Sequence, residues 1–210
     1  LNEKVMKSKF LLLLAASVLT SCENPADKTT DAKVSDAQQE LQGSGTRFVF
    51  GDSSTIGFTG SKVTGSRDGG FKVFSGHFFL EEGDDAPTAG EFTIQMDSTW
   101  SDSEKLTEHL KNEDFFDIEK FPVTTFKLTK ATKTTEGSYE ISGNLNLHGV
   151  EKNITFPVTA KRDGETASFQ AEFDINRKDF GIVYAGKADD LIRDEVIIRL
   201  NFMAAAEPES

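Results

Sequence analysis

The feature that most constrains the fold of this chain is an alternation of apolar and polar residues, with a period of two, that recurs from Thr46 onward. Side chains along a β-strand point alternately to opposite faces, so this alternation predicts strands with one buried face. About eight or nine such strands predict an all-β domain, and one-faced alternation fits a sandwich and a closed barrel equally well. The apolar residues of the runs are Phe48 and Phe50; Ile56 and Phe58; Phe74, Phe78 and Leu80; Phe92, Ile94 and Met96; Phe126 and Leu128; Tyr139, Ile141, Leu145 and Leu147; Ile154, Phe156 and Val158; Phe169, Ala171, Phe173 and Ile175; and Val196, Ile198, Leu200 and Phe202.

Turn-forming residues separate these runs. Asp68-Gly69-Gly70, Glu82-Gly83-Asp84, Glu136-Gly137 and Asp163-Gly164 supply residues that tolerate positive φ angles. Asp163-Gly164 lies between two alternating runs and predicts a hairpin. Pro157 lies within a run and has no N–H to donate to a ladder, which predicts a bulge or a strand edge there.

One segment of the domain is predicted to be helical. Ser101-Asp102-Ser103-Glu104 matches a capping box, in which Ser101 and Glu104 satisfy the first backbone N–H groups of a helix. Leu106 and Leu110 then lie four residues apart on one helical face. The pattern predicts a single short helix that ends before Phe115.

The N-terminal part of the chain has the pattern of an exported lipoprotein. Three lysines, Lys4, Lys7 and Lys9, precede an apolar run from Phe10 to Leu19, which is typical of a secretory signal and too short to span a bilayer comfortably. The run ends in Leu19-Thr20-Ser21-Cys22, which resembles the lipobox of bacterial lipoproteins. An ordinary signal peptide with a chance cysteine, or a buried apolar helix, is the alternative.

The domain boundaries follow from these patterns. Residues 1–21 are predicted to be a lipoprotein signal peptide, and Cys22 to carry acyl chains that anchor the protein stably. Residues 22–45 are polar, so they are predicted to form a flexible acylated tether. Residues 46–205 form the folded domain and residues 206–210 a C-terminal tail. The expected location is the bacterial envelope, in the outer membrane or facing the periplasm.

Charge and cysteine content restrict the function further. The formal net charge is −12, and an acidic surface repels a phosphate backbone, so nucleic-acid binding is not expected. Cys22 is the one cysteine, so no intrachain disulfide forms. Phenylalanine outnumbers the other aromatic residues, with 18 Phe against two Tyr and one Trp. A Phe-rich interior is apolar and offers few hydrogen-bonding groups.

The sequence predicts no enzyme, no catalytic residue, no metal site and no cofactor. Its histidines, His77, His109 and His148, are far apart, whereas a zinc site needs three or four ligands close together. Arg177 is the one candidate for contact with a charged headgroup, because a guanidinium matches phosphate oxygens. Alternatively, Arg177 pairs with Asp179 or Asp174 and fixes a turn.

Four stretches of the chain resemble the YceI-like family of lipid- and polyisoprenoid-binding proteins. They are Phe71–Leu80, Glu108–Lys127, Gly143–Lys152 and Ile175–Gly181, the last followed by Asp194-Glu195-Val196. Their order and spacing match over essentially all of residues 46–204. The sequence departs from the family where Asp52-Ser53-Ser54 follows the first strand, since a segment containing His usually stands there.

The resemblance implies a lipocalin-like antiparallel β-barrel of about eight strands with one short helix inserted. It also implies a long apolar pocket for an isoprenoid or another amphiphilic chain, such as an isoprenoid quinone, a polyprenyl phosphate or a fatty amide. For each residue proposed to line that pocket, a place in a solid core is the alternative. These residues are Phe48, Phe50, Phe58, Phe74, Phe78, Phe92, Ile94, Phe126, Leu128 and Phe173.

The expected function is therefore binding, carriage or sequestration of such a lipid by a membrane-anchored protein. An eight-stranded barrel is either filled by its own side chains or holds one ligand. The rival hypothesis is accordingly an envelope protein-interaction module with a filled barrel and no ligand. Enzymatic turnover of a bound lipid would require a polar pair with perturbed pKa values in the pocket, and the sequence displays none.

Overall fold

The computed structural model describes residues 24–208, so the predicted signal peptide and Cys22 lie outside the described residues. Strands dominate this part of the chain, as the alternation predicts, and the nine predicted runs lie in strands except for Met96, which begins a short 3-10 helix after β6. The strands are β1 Lys33–Ser35, β2 Thr46–Phe50, β3 Thr55–Lys62, β4 Gly65–Phe71, β5 Phe74–Leu80, β6 Pro87–Gln95, β7 Thr99–Ser101, β8 Val123–Thr135, β9 Ser138–Leu147, β10 Val150–Asp163, β11 Thr166–Asn176, β12 Gly186–Lys187, β13 Asp190–Leu191 and β14 Glu195–Ala206.

Eight antiparallel strands close into a barrel, which resolves the choice between sandwich and barrel. The order around the barrel is β2-β5-β6-β8-β9-β10-β11-β14, and β14 pairs with β2 again through Ala204 and Phe50. The closed ladder leaves most of the strand edges paired. Apolar side chains of the eight strands point inward, so the core and any ligand site share the interior.

One end of the barrel carries an extra flap of sheet. After the bend at residues 51–54 the chain continues as β3, which pairs with β14 from Ile197 to Asn201, and β4 and β7 extend from β3. The turn predicted at Asp68-Gly69-Gly70 is wrong, because all three residues lie inside β4 and the chain turns at residues 63–64. A Cβ at Gly69 would lie 2.3 Å from the ring of Phe58, so the glycine serves close packing instead.

The turns and the helix agree better with the sequence. Gly83, Gly137 and Gly164 have positive φ angles in the predicted turns, and Gly164 lies in the β10–β11 hairpin. The helix α1, Glu104–Lys111, ends before Phe115 as expected. Its cap is Ser103, two residues later than the predicted Ser101, and the Ser103 side chain accepts a hydrogen bond from the N–H of Leu106.

Pro157 lies at a strand edge, which confirms one of the two predicted alternatives. On one side β10 pairs with β9 from Val150 to Thr159. On its other side β10 pairs with β11 only from Thr159 to Asp163, and with β1 only from Asn153 to Thr155. Pro157 falls between these two ladders, so its missing N–H costs no hydrogen bond.

The prediction that residues 22–45 are a flexible tether is wrong for residues 24–45. Strands β10 and β11 separate beyond Thr159, and β1 fills the resulting seam by pairing with β10. On the β11 side, Asp174 accepts a backbone hydrogen bond from Ala32 and donates one to Thr30. Pairing of backbone groups with an open edge, rather than burial of large apolar side chains, orders this segment.

The same segment then crosses the outside of the barrel towards β2. Gln38 exchanges two hydrogen bonds with the Asn144 side chain, at 3.0 and 2.7 Å, and the N–H of Leu41 donates to the carbonyl of Leu128. Gly43 lies directly against the ring of Phe79. Within residues 24–208, no helix has both the length and the hydropathy that crossing a bilayer requires.

Candidate functional site

The barrel interior contains a large apolar cavity. Its volume is about 160 Å³, and the unoccupied space rises to about 1050 Å³ when the opening to solvent is counted. Phe58, Ile94 and Phe173 belong to its wall, and Leu110, Phe115, Phe116, Ile182 and Ile192 cover one end. Binding sites for small molecules mostly have apolar walls as well. We call this space the larger cavity.

A second, smaller cavity lies further along the interior. Its volume is about 70 Å³, or about 540 Å³ when its opening to solvent is counted, and its wall includes Phe50, Phe78, Leu128, Phe169 and Phe202. His77 and Glu91 also line it. Burial, and next the nearby Arg47, lower the pKa of His77 below its usual value. His77 is therefore mainly uncharged at neutral pH.

The two cavities share part of their walls. Phe92, Phe126, Phe156 and Leu200 line both, and we call the three phenylalanines of this set the aromatic partition. The rings of Phe92 and Phe126 are stacked with centroids 5.1 Å apart, and those of Phe126 and Phe156 are 5.8 Å apart. Phe156 is in turn stacked on Phe173 at 4.0 Å. The interior is thus two compartments in series, separated by aromatic side chains.

Glycines on neighbouring strands allow three phenylalanine rings of the cavity walls to lie close to the sheet. A Cβ at Gly143 would lie 2.1 Å from Phe126, one at Gly69 would lie 2.3 Å from Phe58, and one at Gly76 would lie 2.5 Å from Phe50. Real Cβ atoms do not approach so closely, so each ring occupies the space that a side chain would otherwise fill. These glycines therefore help to keep the interior open.

Eight of the ten residues predicted to line the pocket line one cavity or both. Phe58, Ile94 and Phe173 line the larger, Phe50, Phe78 and Leu128 the smaller, and Phe92 and Phe126 both. Contact of these residues with a ligand stays a prediction. Phe48 and Phe74 line neither cavity: Phe48 is fully buried against Phe78, Leu80 and Ala204, and Phe74 packs on Phe202. For these two the alternative, a place in the solid core, is the one observed.

Arg177 lies in the wall of the larger cavity, but its guanidinium is already occupied. It donates hydrogen bonds to the carbonyls of Ile182, Ile192 and Arg193, and it forms a 3.1 Å ion pair with Asp194. The expected pairing with Asp179 or Asp174 is thus replaced by pairing with Asp194. The alternative structural role, which fixes the loop after β11, accounts for these contacts, while headgroup binding stays a prediction.

One polar side chain in the wall of the larger cavity has an unused hydrogen-bonding group. Thr124 is 4% exposed, and its Oγ1 has no hydrogen-bond partner among the described residues. A buried hydroxyl without a partner costs about 1–3 kcal/mol. A ligand oxygen or N–H near Thr124 would remove that cost.

The structure adds wall residues that the alternation did not indicate. Phe115 and Phe116 follow the helix in a loop without periodicity, and Ile182 and Ile192 lie in the loop between β11 and β14. The aromatic pair in an otherwise acidic stretch was the only available signal. His109 bonds to Asp114 at 2.9 Å, and the rings of His109 and Tyr184 lie 5.2 Å apart, beside this cover.

Within residues 24–208, no group of three or more His, Cys, Asp or Glu residues is placed to hold a metal ion. The geometry defines a class: a lipocalin-like antiparallel barrel whose interior is apolar and partly empty. Residues 49–204 match the family model of the YceI-like domain. The chain therefore belongs to the YceI-like domain family.

Known relatives agree with this assignment. A UPF0312 protein of Pseudomonas putida is 34% identical over 122 residues, which are 54% of this chain and 62% of that protein. Protein YceI of Salmonella arizonae is 34% identical over 121 residues, again 54% and 62% of the two chains. The match spans about three fifths of the length of these curated relatives.

Solved structures show the same fold. BcnA of Burkholderia cenocepacia has a TM-score of 0.65 at 23% identity, over 72% of this chain and 96% of that one. A polyisoprenoid binding domain from Saccharophagus degradans, implicated in plant cell wall breakdown, has a TM-score of 0.63 at 16% identity, over 78% and 100%. At these identities the likeness concerns the fold alone.

Proposed function

We propose that this protein binds a long-chain isoprenoid or a related amphiphilic lipid inside its barrel, and carries or sequesters it at a bacterial membrane. Two apolar cavities in series, lined by phenylalanines, are the observation that carries the proposal. The polyisoprenoid binding domain of similar fold supports the choice of ligand class. The lipobox-like sequence at Cys22 supports an acylated protein in the envelope.

The physical basis for binding is transfer of hydrocarbon out of water. Each five-carbon isoprene unit gains about 4 kcal/mol when it is buried, at about 0.8 kcal/mol per carbon. A phenylalanine-lined space thus retains a prenyl chain without directed polar contacts. The two cavities favour this hypothesis over the rival one, a barrel filled by its own side chains.

The polar groups of the larger cavity favour a ligand whose buried part is uncharged. Thr124 offers one unused hydroxyl to a quinone carbonyl, a prenol hydroxyl or an amide. Arg177 donates to protein carbonyls and to Asp194, so a phosphate within the cavity would have to displace those bonds. A polyprenyl phosphate would therefore keep its headgroup outside the cavity.

A substitution in strand β3 tests the proposal. Gly60 lines the larger cavity on the same strand face as Ile56 and Phe58, and a Cβ built there meets no atom within 4 Å. Gly60→Leu should therefore fill cavity space without a clash. We expect weaker binding of prenyl chains, seen as lower occupancy by native mass spectrometry of the purified protein mixed with a detergent-solubilised prenol and isoprenoid quinone.

Gly57→Leu is the matched control. Gly57 lies on the opposite face of the same strand, and its Cβ would meet only the carbonyl of Gly69 at an ordinary 3.5 Å. It should leave occupancy unchanged, and both variants should keep the melting temperature of the parent protein. Equal occupancy in Gly60→Leu and Gly57→Leu, or no saturable uptake by the parent protein, would refute lipid binding in this cavity.

A further inference from the structure

Exposed apolar side chains lie at the end of the barrel that carries the larger cavity. Val63, in the β3–β4 turn, is 51% exposed, and Leu191, in β13, is 49% exposed. The N–H of Val63 donates to the carbonyl of Leu191 at 3.3 Å, so the two residues lie side by side. Val183, in the same loop as Leu191, is 65% exposed.

These side chains lie on the outer surface of the cavity cover. Ile182 and Ile192 line the larger cavity, and each is the chain neighbour of one exposed residue, Val183 or Leu191. The loop therefore presents apolar side chains inward to the cavity and outward to its surroundings. An isolated exposed valine needs no explanation, but a group over a cavity indicates an interaction site.

The predicted lipid anchor starts at this same end. The Asn24 side chain donates to Glu195 at 3.1 Å and accepts from Ser61 at 3.4 Å, and Ala26 is buried. Cys22 precedes Asn24 by two residues, a span of about 7 Å at most at 3.6 Å per residue. An acyl group on Cys22 would thus hold this end of the barrel close to a membrane, because residues 24–45 are no loose tether.

We infer that this end docks on the bilayer, with Val63, Val183 and Leu191 in contact with lipid and the cover of the larger cavity against the membrane. This inference deepens the proposed function and rests on it. With the cover of the larger cavity against the bilayer, a lipid can pass from the membrane into the barrel without being exposed to water. The occupant is a lipid surface rather than a protein, because the acyl chains of Cys22 insert beside the patch.

Site-specific labels test the docking. The full chain, processed in a bacterium and shown by intact mass to be acylated, is reconstituted with vesicles of phosphatidylethanolamine and phosphatidylglycerol. Single cysteines at Val63→Cys and Leu191→Cys carry an environment-sensitive fluorophore. The control is Glu165→Cys, in the β10–β11 turn at the opposite end. We expect brominated lipid to quench the first two labels and aqueous iodide to quench the third.

A transfer assay provides the second measurement. The double variant Val63→Asp with Leu191→Asp should slow prenol transfer from vesicles to protein about tenfold, because apolar contact with the bilayer is lost. Val73→Asp changes a valine of similar exposure, 54%, in the connection between β4 and β5, beyond the end of β4 that is remote from the β3–β4 turn, and should not slow transfer.

The outcomes separate the docking from the function. Labels at positions 63 and 191 that stay as open to iodide as the label at 165, or a missing acyl mass on Cys22, would overturn the docking whatever the barrel binds. Quenching by brominated lipid together with no prenol occupancy would support the docking and refute the proposed function. Normal prenol occupancy without quenching by brominated lipid would support the proposed function and refute the docking.

Discussion

The aromatic partition makes a quantitative prediction about chain length. A prenyl chain that extends from the larger cavity into the smaller one must turn the ring of Phe126 away from Phe92, on which it is stacked at 5.1 Å. Loss of that stacking costs about 0.5–1.5 kcal/mol, and holding a side chain away from its preferred rotamer costs about 0.5–1.5 kcal/mol. Phe126→Ala removes this penalty of about 1–3 kcal/mol. Longer chains should then gain about 5- to 150-fold in affinity over short ones, at about 1.4 kcal/mol per tenfold.

The variant should remain folded. Replacing a buried phenylalanine by alanine costs about 3–5 kcal/mol, and the lower figure is apt because Phe126 already borders two cavities. Natural domains are stable by about 5–15 kcal/mol. Phe48→Ala is the control, since Phe48 is fully buried and lines neither cavity. It should cost more stability and leave the length preference alone.

The assay is competition between prenols of increasing length, read as relative occupancy by native mass spectrometry at constant detergent. The quantity compared is the ratio of long-chain to short-chain occupancy in the parent protein and in the two variants. An unchanged ratio in Phe126→Ala would refute the partition as a barrier. An equal change in Phe48→Ala would attribute the effect to general loosening of the barrel.

Three further predictions concern single residues around the site. Gly143→Ala should push the Phe126 ring into the interior and lower prenol occupancy, because the new Cβ would lie 2.1 Å from that ring; the ring protons of Phe126 should shift in an NMR spectrum. Burial and the neighbouring Asp31 raise the pKa of Asp174, so the ionised carboxylate opposes folding. The free energy of unfolding and the hydrogen-exchange protection of residues 24–35 should therefore rise as the pH falls from neutral through this raised pKa. Asp174→Asn should remove this pH dependence. Arg177→Met should lower the melting temperature by several degrees, because four acceptors lose their donor, while prenol occupancy in the folded fraction stays unchanged if no headgroup binds there.

Much of the barrel could be predicted from local pattern. Alternation fixes which face of a strand is buried, and the Asp163-Gly164 turn has a positive φ at Gly164, as its residue type favours. The closure of the strands into a barrel was not in the pattern, because a sandwich buries one face of each strand in the same way. Only the resemblance to a family of barrels distinguished the two.

The two wrong predictions about the chain path have long-range causes. Gly69 and Gly70 have the composition of a turn, but they lie in β4 because the ring of Phe58 and the backbone of β7 leave no room for a side chain. Residues 24–45 have the composition of a disordered segment, but β10 and β11 separate and leave edges for β1 to pair with. The local sequence of Gly69 and Gly70 does not reveal the ring of Phe58, and the local sequence of residues 24–45 does not reveal the open edges of β10 and β11.

Whether a phenylalanine packs in the solid core or lines a cavity also depends on its neighbours on the adjacent strands. Phe48 and Phe50 lie on the same face of β2, yet Phe48 is stacked with Phe78 in a small closed cluster, while Phe50 lies over Gly76 beside the smaller cavity. Where the neighbouring strand has a glycine, the phenylalanine ring packs against the sheet and leaves the interior empty. Where the neighbouring strand has a second large side chain, the two side chains fill the interior. The cavity therefore depends on which glycines face which rings. A substitution that leaves every phenylalanine in place, such as Gly143→Ala, should for that reason reduce lipid binding.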